Sequence, residues 1–254
     1  MSPSRILVCT LCAAPLGCEA APSLAITPAA ALISLDGEIG AAQAGDPGTT
    51  SFEALGLGGT DTATYPRADL GWLGMNLSLT GLTAEFEGRG TLAAPIAIDG
   101  GSIPGGTEVD TQLTFRTISA VFSRSFFEES PVQVGLGLGF TLLDLDLDMR
   151  STSGPETVTS REALPIPVLA GRLAWTNWPF NIGGTLGAIS LSYADYDLTV
   201  LDLDVYASMD FLYVAQFVAG YRLFDVDGIF DTGSSTVALD ARLSGPYVGL
   251  RVAF

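Results

Sequence analysis

From about residue 29 onward this chain alternates, apolar against small or polar, with a period of two. That is the repeat of a β-strand, whose successive side chains point to opposite faces. Leu201, Leu203, Val205, Ala207, Met209 and Phe211 share one face, and Asp202, Asp204, Tyr206, Ser208 and Asp210 share the other. A run of this length suits a tilted strand crossing a bilayer, which needs about 9–11 residues. Val132, Val134, Leu136, Leu138, Phe140 and Leu142 repeat the pattern against Gln133, Gly135, Gly137, Gly139 and Thr141, and residues 215–223 repeat it again. Past the first 20 residues no apolar run approaches the roughly 20 residues a membrane-spanning helix needs. The fold class is all-β.

A soluble sandwich would also alternate, so other features must choose. The residues opposite the apolar face are mostly Gly, Ser, Thr and Asp, which suits a lumen. The junctions are of two kinds. Those at 126–131, 175–180 and 211–213 are short and aromatic, whereas 100–107 and 151–162 are longer, polar and rich in Gly, Ser and Thr. Short turns at one end, longer loops at the other and aromatics at the interface describe an outer-membrane barrel. The expected architecture is a closed antiparallel up-and-down transmembrane β-barrel of about ten strands, at roughly 30–43, 65–73, 76–91, 108–123, 131–148, 161–176, 180–195, 199–212, 214–228 and 236–254. Trp175, Trp178, Phe180 and Phe211 belong at its periplasmic rim. Eight strands are the alternative if residues 30–73 form a periplasmic or plugging segment instead of wall. Residues 29–64 hold the first strand and a long acidic, Gly-rich connection that is the candidate plug.

Residues 1–20 read as an export signal, with Arg5 ahead of the apolar run Ile6–Gly17, which places 21–254 in the barrel. Two cleavage sites compete: a lipoprotein-like one at Gly17-Cys18 and an ordinary one near Ala20 or Ala21. The cysteines Cys9, Cys12 and Cys18 all fall in this segment, which leaves no disulfide framework or Cys-based metal site for the barrel.

Val248, Leu250, Val252 and Phe254 alternate with Gly249, Arg251 and Ala253, and Gly245-Pro246-Tyr247 opens this last run. The ending, from Tyr247 to Phe254, resembles the terminal strand that outer-membrane proteins present to the barrel-assembly machinery. Together with Leu55-Gly56-Leu57, it makes residues 29–254 similar to the small OmpA/OmpW-like outer-membrane barrels of Gram-negative bacteria. That resemblance implies the cell outer membrane as location, with its lipid and lipopolysaccharide as partners.

The net charge of −17, with arginine the only cation, argues against nucleic-acid binding, because phosphate contacts need clustered cations. With no histidine, no Ser-His hydrolase can be assembled. A non-enzymatic barrel without an organic cofactor is expected.

In two strands the apolar face changes parity: after Leu142, to Leu143, Leu145 and Leu147, and at Gly245-Pro246. A β-bulge produces such a slip. Bulges would turn Asp146, Asp204 and Asp240 into the lumen; without them Asp144, Asp146 and Asp148 face outward, tolerable only above the lipid. Crowded carboxylates suit Ca²⁺, so Asp144, Asp146, Asp148, Asp202 and Asp204 are candidate ligands. The alternative is that Arg150, Arg172, Arg222 and Arg242 pair with the acidic residues. Two functions follow: a narrow, cation-preferring pore with an acidic mouth, or a structural and binding barrel whose acidic loops contact divalent cations, lipopolysaccharide or a surface partner.

Overall fold

The computed structural model describes residues 22–43, 47–98, 101–126, 131–193, 196–212, 214–231 and 235–254. The export signal, the three cysteines and Asp195, a further acidic residue near a strand end, lie outside them. Ten wall strands form one antiparallel ring. β1 runs through Ser23–Thr27 and, past Pro28, Ala29–Ala42; β2 runs through Thr60–Thr64 and Arg67–Trp72. Then come β3 (Met75–Thr91), β4 (Glu108–Phe126), β5 (Val132–Ser151), β6 (Thr157–Asn177), β7 (Phe180–Tyr193), β8 (Tyr196–Leu212), β9 (Ala215–Asp231) and β10 (Thr236–Ala253). Each pairs with the next, and β10 returns to β1, with Tyr247 opposite Ala31 and Val252 opposite Ile26. Phe254 completes the closure by exchanging backbone hydrogen bonds with Leu24. The ring thus has ten strands, with residues 29–42 and 60–64 in the wall. The segment expected as a loop at 151–162 is strand from Thr157 onward.

The four rim aromatics stand at one end: Trp175, Trp178 and Phe180 flank the β6–β7 turn, and Phe211 lies near the end of β8. The exposed faces just above them are apolar, among them Leu136, Leu138, Leu169, Leu186 and Val248. This belt is the lipid contact.

The ring is taller than the lipid. β5 has 20 residues, about twice what a tilted strand needs to span a bilayer. Its even-numbered side chains face outward from end to end: Leu136, Leu138 and Phe140 are exposed, and above them Asp144, Asp146 and Asp148 are partly exposed. Its odd-numbered side chains face inward, first Gly135, Gly137, Gly139 and Thr141, then Leu143, Leu145, Leu147 and Met149. Leu138 is 66% exposed and Leu143 is 0%. The parity therefore never changes; the polarity does. Below, lipid surrounds the strand and the lumen is polar. Above, water surrounds it and the lumen is apolar.

This overturns the bulges expected at Leu142-Leu143 and Gly245-Pro246. β5 keeps one register against both β4 and β6, and β10 keeps one against β9. A register shift does occur at Asp210/Leu212, at the short-turn end of β8. The apparent slips mark the level at which the solvent outside changes from hydrocarbon to water. The same inversion recurs in β9, where Tyr221 faces out and Arg222 in, then Asp225 and Asp227 face out and Phe224 and Val226 in. In β10 it separates Asp240 and Arg242, outside, from Val248 and Leu250, also outside but in the belt.

Candidate functional site

The lower lumen is crossed by a septum of paired charges. Arg67 of β2 lies over Asp69, donating from Nε to Oδ2 at 2.9 Å and from Nη2 to Oδ1 at 2.9 Å. Its Nη1 reaches Asp204 Oδ2 of β8 at 2.5 Å, across the lumen. The Tyr247 hydroxyl of β10 donates to Asp204 Oδ1 at 2.7 Å, and Ser78 of β3 donates to Asp69. Beside this group Arg222 of β9 pairs with Asp202, Nη2 to Oδ2 at 2.9 Å. Ser119 of β4 also donates to Asp202, at 3.2 Å. Arg251 approaches Asp69 at 3.5 Å. Three arginines thus face three aspartates. Aromatic rings fill the spaces: the Arg67 guanidinium lies 4.6 Å from the Tyr206 centroid, and Tyr65 and Tyr247 pack at 4.8 Å. Arg67, Arg222, Asp202 and Asp204 are all buried.

Above the septum lies an apolar chamber. Leu113, Phe115, Leu145 and Leu147 face Ile39, Val237 and Leu239 across a residual cavity of about 20 Å³, with Ser160 and Glu162 on the same wall. Two chain segments close the chamber. The first is the turn after the short strand Thr49–Ser51, whose Phe52, Leu55 and Leu57 are buried. It is held by Phe52 N–H to Gly37 O at 3.0 Å and by Thr91 N–H to Ala54 O at 2.9 Å. It seats on β3 because Gly88 and Gly90 have no side chain. A Cβ on Gly90 would stand 1.9 Å from Ala54 O, and one on Gly88 would stand 2.4 Å from Gly56 C. Gly56 itself has φ +76°, in the left-handed region that glycine reaches without strain. The second is the hairpin Ile96–Ile98 and Gly101–Ile103, whose isoleucines are buried and whose approach is tied by Ala93 N–H to Thr50 Oγ1 at 3.1 Å.

Replacing Gly90 by Val should therefore expel the Phe52–Leu57 turn. The expected cost is about 1–3 kcal/mol, the usual range for overpacking. Limited proteolysis should cut within residues 52–58 in the variant and not in the parent, with the strands intact. Equal resistance in the two proteins would show that the turn does not need this seat.

The five candidate cation ligands are not brought together. Asp202 and Asp204 are in the septum, each engaged by arginine. Asp144, Asp146 and Asp148 face outward above the belt, a strand's thickness from the lumen they were expected to line, and Asp240 stands on that outer face too. Among the described residues no group of three or more acidic side chains converges in a metal-holding arrangement. Pairing with arginine accounts for much of the cluster: Arg150 with Asp148 at 3.0 Å, Arg242 with Asp225 at 2.5 Å, and Arg222 with Asp202. Where β9, β10 and β1 run side by side, Asp227, Asp240 and Glu38 stand directly opposite one another on the outer face. Asp240 lies well above the spanning part of β10; partial burial and then the charges of Asp227, Asp225 and Glu38 raise its carboxyl above the ordinary range.

Arg67, Asp69 and Ser78 were not anticipated. The available signal was Arg67-Ala68-Asp69, two opposite charges sharing one face of a strand whose other face is apolar.

No family model matches the chain, and no curated protein matches it. Among solved structures it is similar to Neisserial surface protein A, with 14% identity, 91% of this chain and 97% of that one aligned, and a TM-score of 0.34. It is also similar to the translocator domain of the autotransporter NalP from Neisseria meningitidis (12%, 91% and 88%, 0.40). A third is Ail, the attachment invasion locus protein of Yersinia pestis (8%, 92% and 98%, 0.32). By its own closed topology, lipid-facing belt and aromatic rim, this chain is a ten-stranded outer-membrane β-barrel.

Proposed function

We propose that the protein is a non-enzymatic binding and structural barrel of the outer membrane, with a lumen closed to solute flow. One observation carries this reading. The lumen is obstructed twice in series, by a septum in which charges pair across it and by an apolar core capped by two chain segments. An ion entering this storey would exchange its hydration shell for walls that are apolar apart from Ser160 and Glu162, at a cost of several kcal/mol. What the protein offers the surroundings is its outer face above the apolar belt, where Asp36, Glu38, Asp144, Asp146, Asp148, Asp225, Asp227 and Asp240 stand. Carboxylates there suit divalent cations bridging to lipopolysaccharide phosphates, or a basic surface partner.

Planar-bilayer recording tests the reading. The wild-type barrel should give no discrete channels in a salt gradient at either polarity. Steady single-channel steps with a cation-selective reversal potential would overturn it in favour of a narrow pore.

A further inference from the structure

Of the four arginines expected to pair with the acidic residues, Arg150, Arg222 and Arg242 do so. Arg172 makes no ion pair and no side-chain hydrogen bond among the described residues. It stands near the short-turn end of β6, and its parity turns it into the lumen, with Ala170 above and Ala174 below. Gly135 of β5 and Thr185 of β7 lie opposite it.

The charges within its electrostatic reach belong to the septum: Asp69, Arg67 and Arg251, beside Tyr206. Asp69 is already engaged. Arg67 grips it with Nε and Nη2, and Ser78 donates to it. Arg251 comes no nearer than 3.5 Å to Asp69 and 3.5 Å to the Tyr206 hydroxyl. The septum and its periplasmic flank thus hold four guanidiniums, Arg67, Arg172, Arg222 and Arg251, against three carboxylates, Asp69, Asp202 and Asp204. The next inward carboxylate, Asp210, is at the rim and accepts a hydrogen bond from Gln216 at 2.6 Å. One cation is left over, in a chain whose net charge is −17.

The surplus lies where solvent enters. One side of the lower lumen is filled, and there Thr27, Tyr65, Tyr206, Val218 and Tyr247 are buried. On the β6–β7 side the inward residues Ala174, Asn181 and Thr185 are partly exposed, and Thr176 at the mouth is exposed. Val168 and Ala170 are buried above them and form a roof. The space therefore opens toward the periplasm, with Arg172 near its head. Arg251, its side chain 18% exposed, projects from β10 on the other side of the ring.

We propose that this periplasmic vestibule binds a tetrahedral oxyanion of the phosphate class, held between Arg172 and Arg251. A guanidinium presents a planar fork of N–H donors that matches two oxygens of such an anion. Two guanidiniums on different walls suit an ion with oxygens on every side better than a flat carboxylate, whose two oxygens one fork can occupy. Thr185 and Asn181 supply neutral hydrogen-bond partners on the same wall. The proposal goes beyond the closed-lumen reading and fails separately from it: a silent barrel can lack an anion site, and a conducting one can have it.

The test is calorimetric titration of inorganic phosphate into the full barrel in neutral detergent micelles, at an ionic strength fixed with chloride. Saturable heat with one phosphate per barrel is expected. Arg172→Gln should abolish it and, since no ion pair is lost, should leave the phosphate-free urea midpoint at the parent's value. In the parent, phosphate at about 100 times its Kd should raise the ratio of folded to unfolded protein about 100-fold. Phosphate also stabilises proteins through exclusion from their surface, so the part of the shift that Arg172→Gln removes is the one that counts. A second variant does not depend on the folding of the first. Ala174→Asp sets a carboxylate beside Arg172 at the spacing of Arg67 and Asp69, and it should abolish the phosphate heat while keeping or raising the urea midpoint. A parent protein without saturable heat would overturn the proposal. So would heat that survives in either folded variant, which would place the phosphate elsewhere on the protein.

Discussion

Arg222→Met is expected to destabilise the folded barrel by about 3–5 kcal/mol, as happens when one partner is removed from a buried ion pair. Arg222 is 2% exposed, and it is the partner of Asp202, which also accepts a hydrogen bond from Ser119. Methionine fills much of the volume but leaves the buried Asp202 carboxylate without its cation. The guanidinium also lies 5.4 Å from the Tyr65 centroid, and that contact is lost as well. Urea unfolding of the reconstituted barrel is the measurement. Adding Asp202→Leu to Arg222→Met should recover most of the loss, because the cost is that of an unpaired charge and not of a missing attraction. A single variant within about 0.5 kcal/mol of the parent, the range of ordinary surface substitutions, would mean that water already solvates the septum. The lumen would then be more open than its packing shows.

The septum also explains how the barrel can be closed without a large plug domain. Eight-stranded interiors are filled by side chains, and a ten-stranded one is wider. Long side chains make up the difference here: arginines from β2, β9 and β10 and tyrosines from β2, β8 and β10 reach toward the axis. The glycines opposite them give the room. A Cβ on Gly220 would stand 2.4 Å from the Tyr247 ring, and one on Gly183 would stand 2.5 Å from the Tyr206 ring.

The wall was legible in the sequence because a period of two is local information. Strand number, the rim aromatics and the closing strand through Phe254 could all be read from alternation and junction type. Which aspartates face the lumen could not, because that depends on where the lipid ends. Leu142-Leu143 has the same appearance in a sequence whether a bulge rotates the strand or the surroundings change around a straight one. Only the unbroken register of β5 against two neighbours separates the two. The septum was hidden for a different reason. Arg67 and Asp204 are 137 residues apart, and nothing in either strand names the other. Where the β6–β7 ladder stops, at Leu169 opposite Ala188, was half visible: Pro165 and Pro167 stand in the sequence, but that they face β7 follows from the direction of Thr176 N–H.

The inversion yields the second large effect, in three substitutions on one strand. Leu138→Arg places a cation in the lipid belt and should cost about 2–4 kcal/mol near the bilayer midplane. Asp146→Arg, eight residues along on the same outward face, should change stability by no more than about 0.5 kcal/mol, since water surrounds it. Leu145→Arg, its immediate neighbour, should be the most damaging of the three, because a cation would enter the packed chamber beside Leu113 and Phe115 without a partner. A bulge at Leu142-Leu143 makes the opposite forecast for the last two: Asp146 would be the lumen residue and Leu145 the outward one. Folding yield into vesicles and urea midpoints for the three variants decide between them. Tolerance of Arg at 145 together with intolerance at 146 would restore the bulge and return the acidic residues to the lumen. The expected order, in which position 146 accepts the charge and 138 and 145 refuse it for different reasons, is the signature of a straight strand passing from lipid into water.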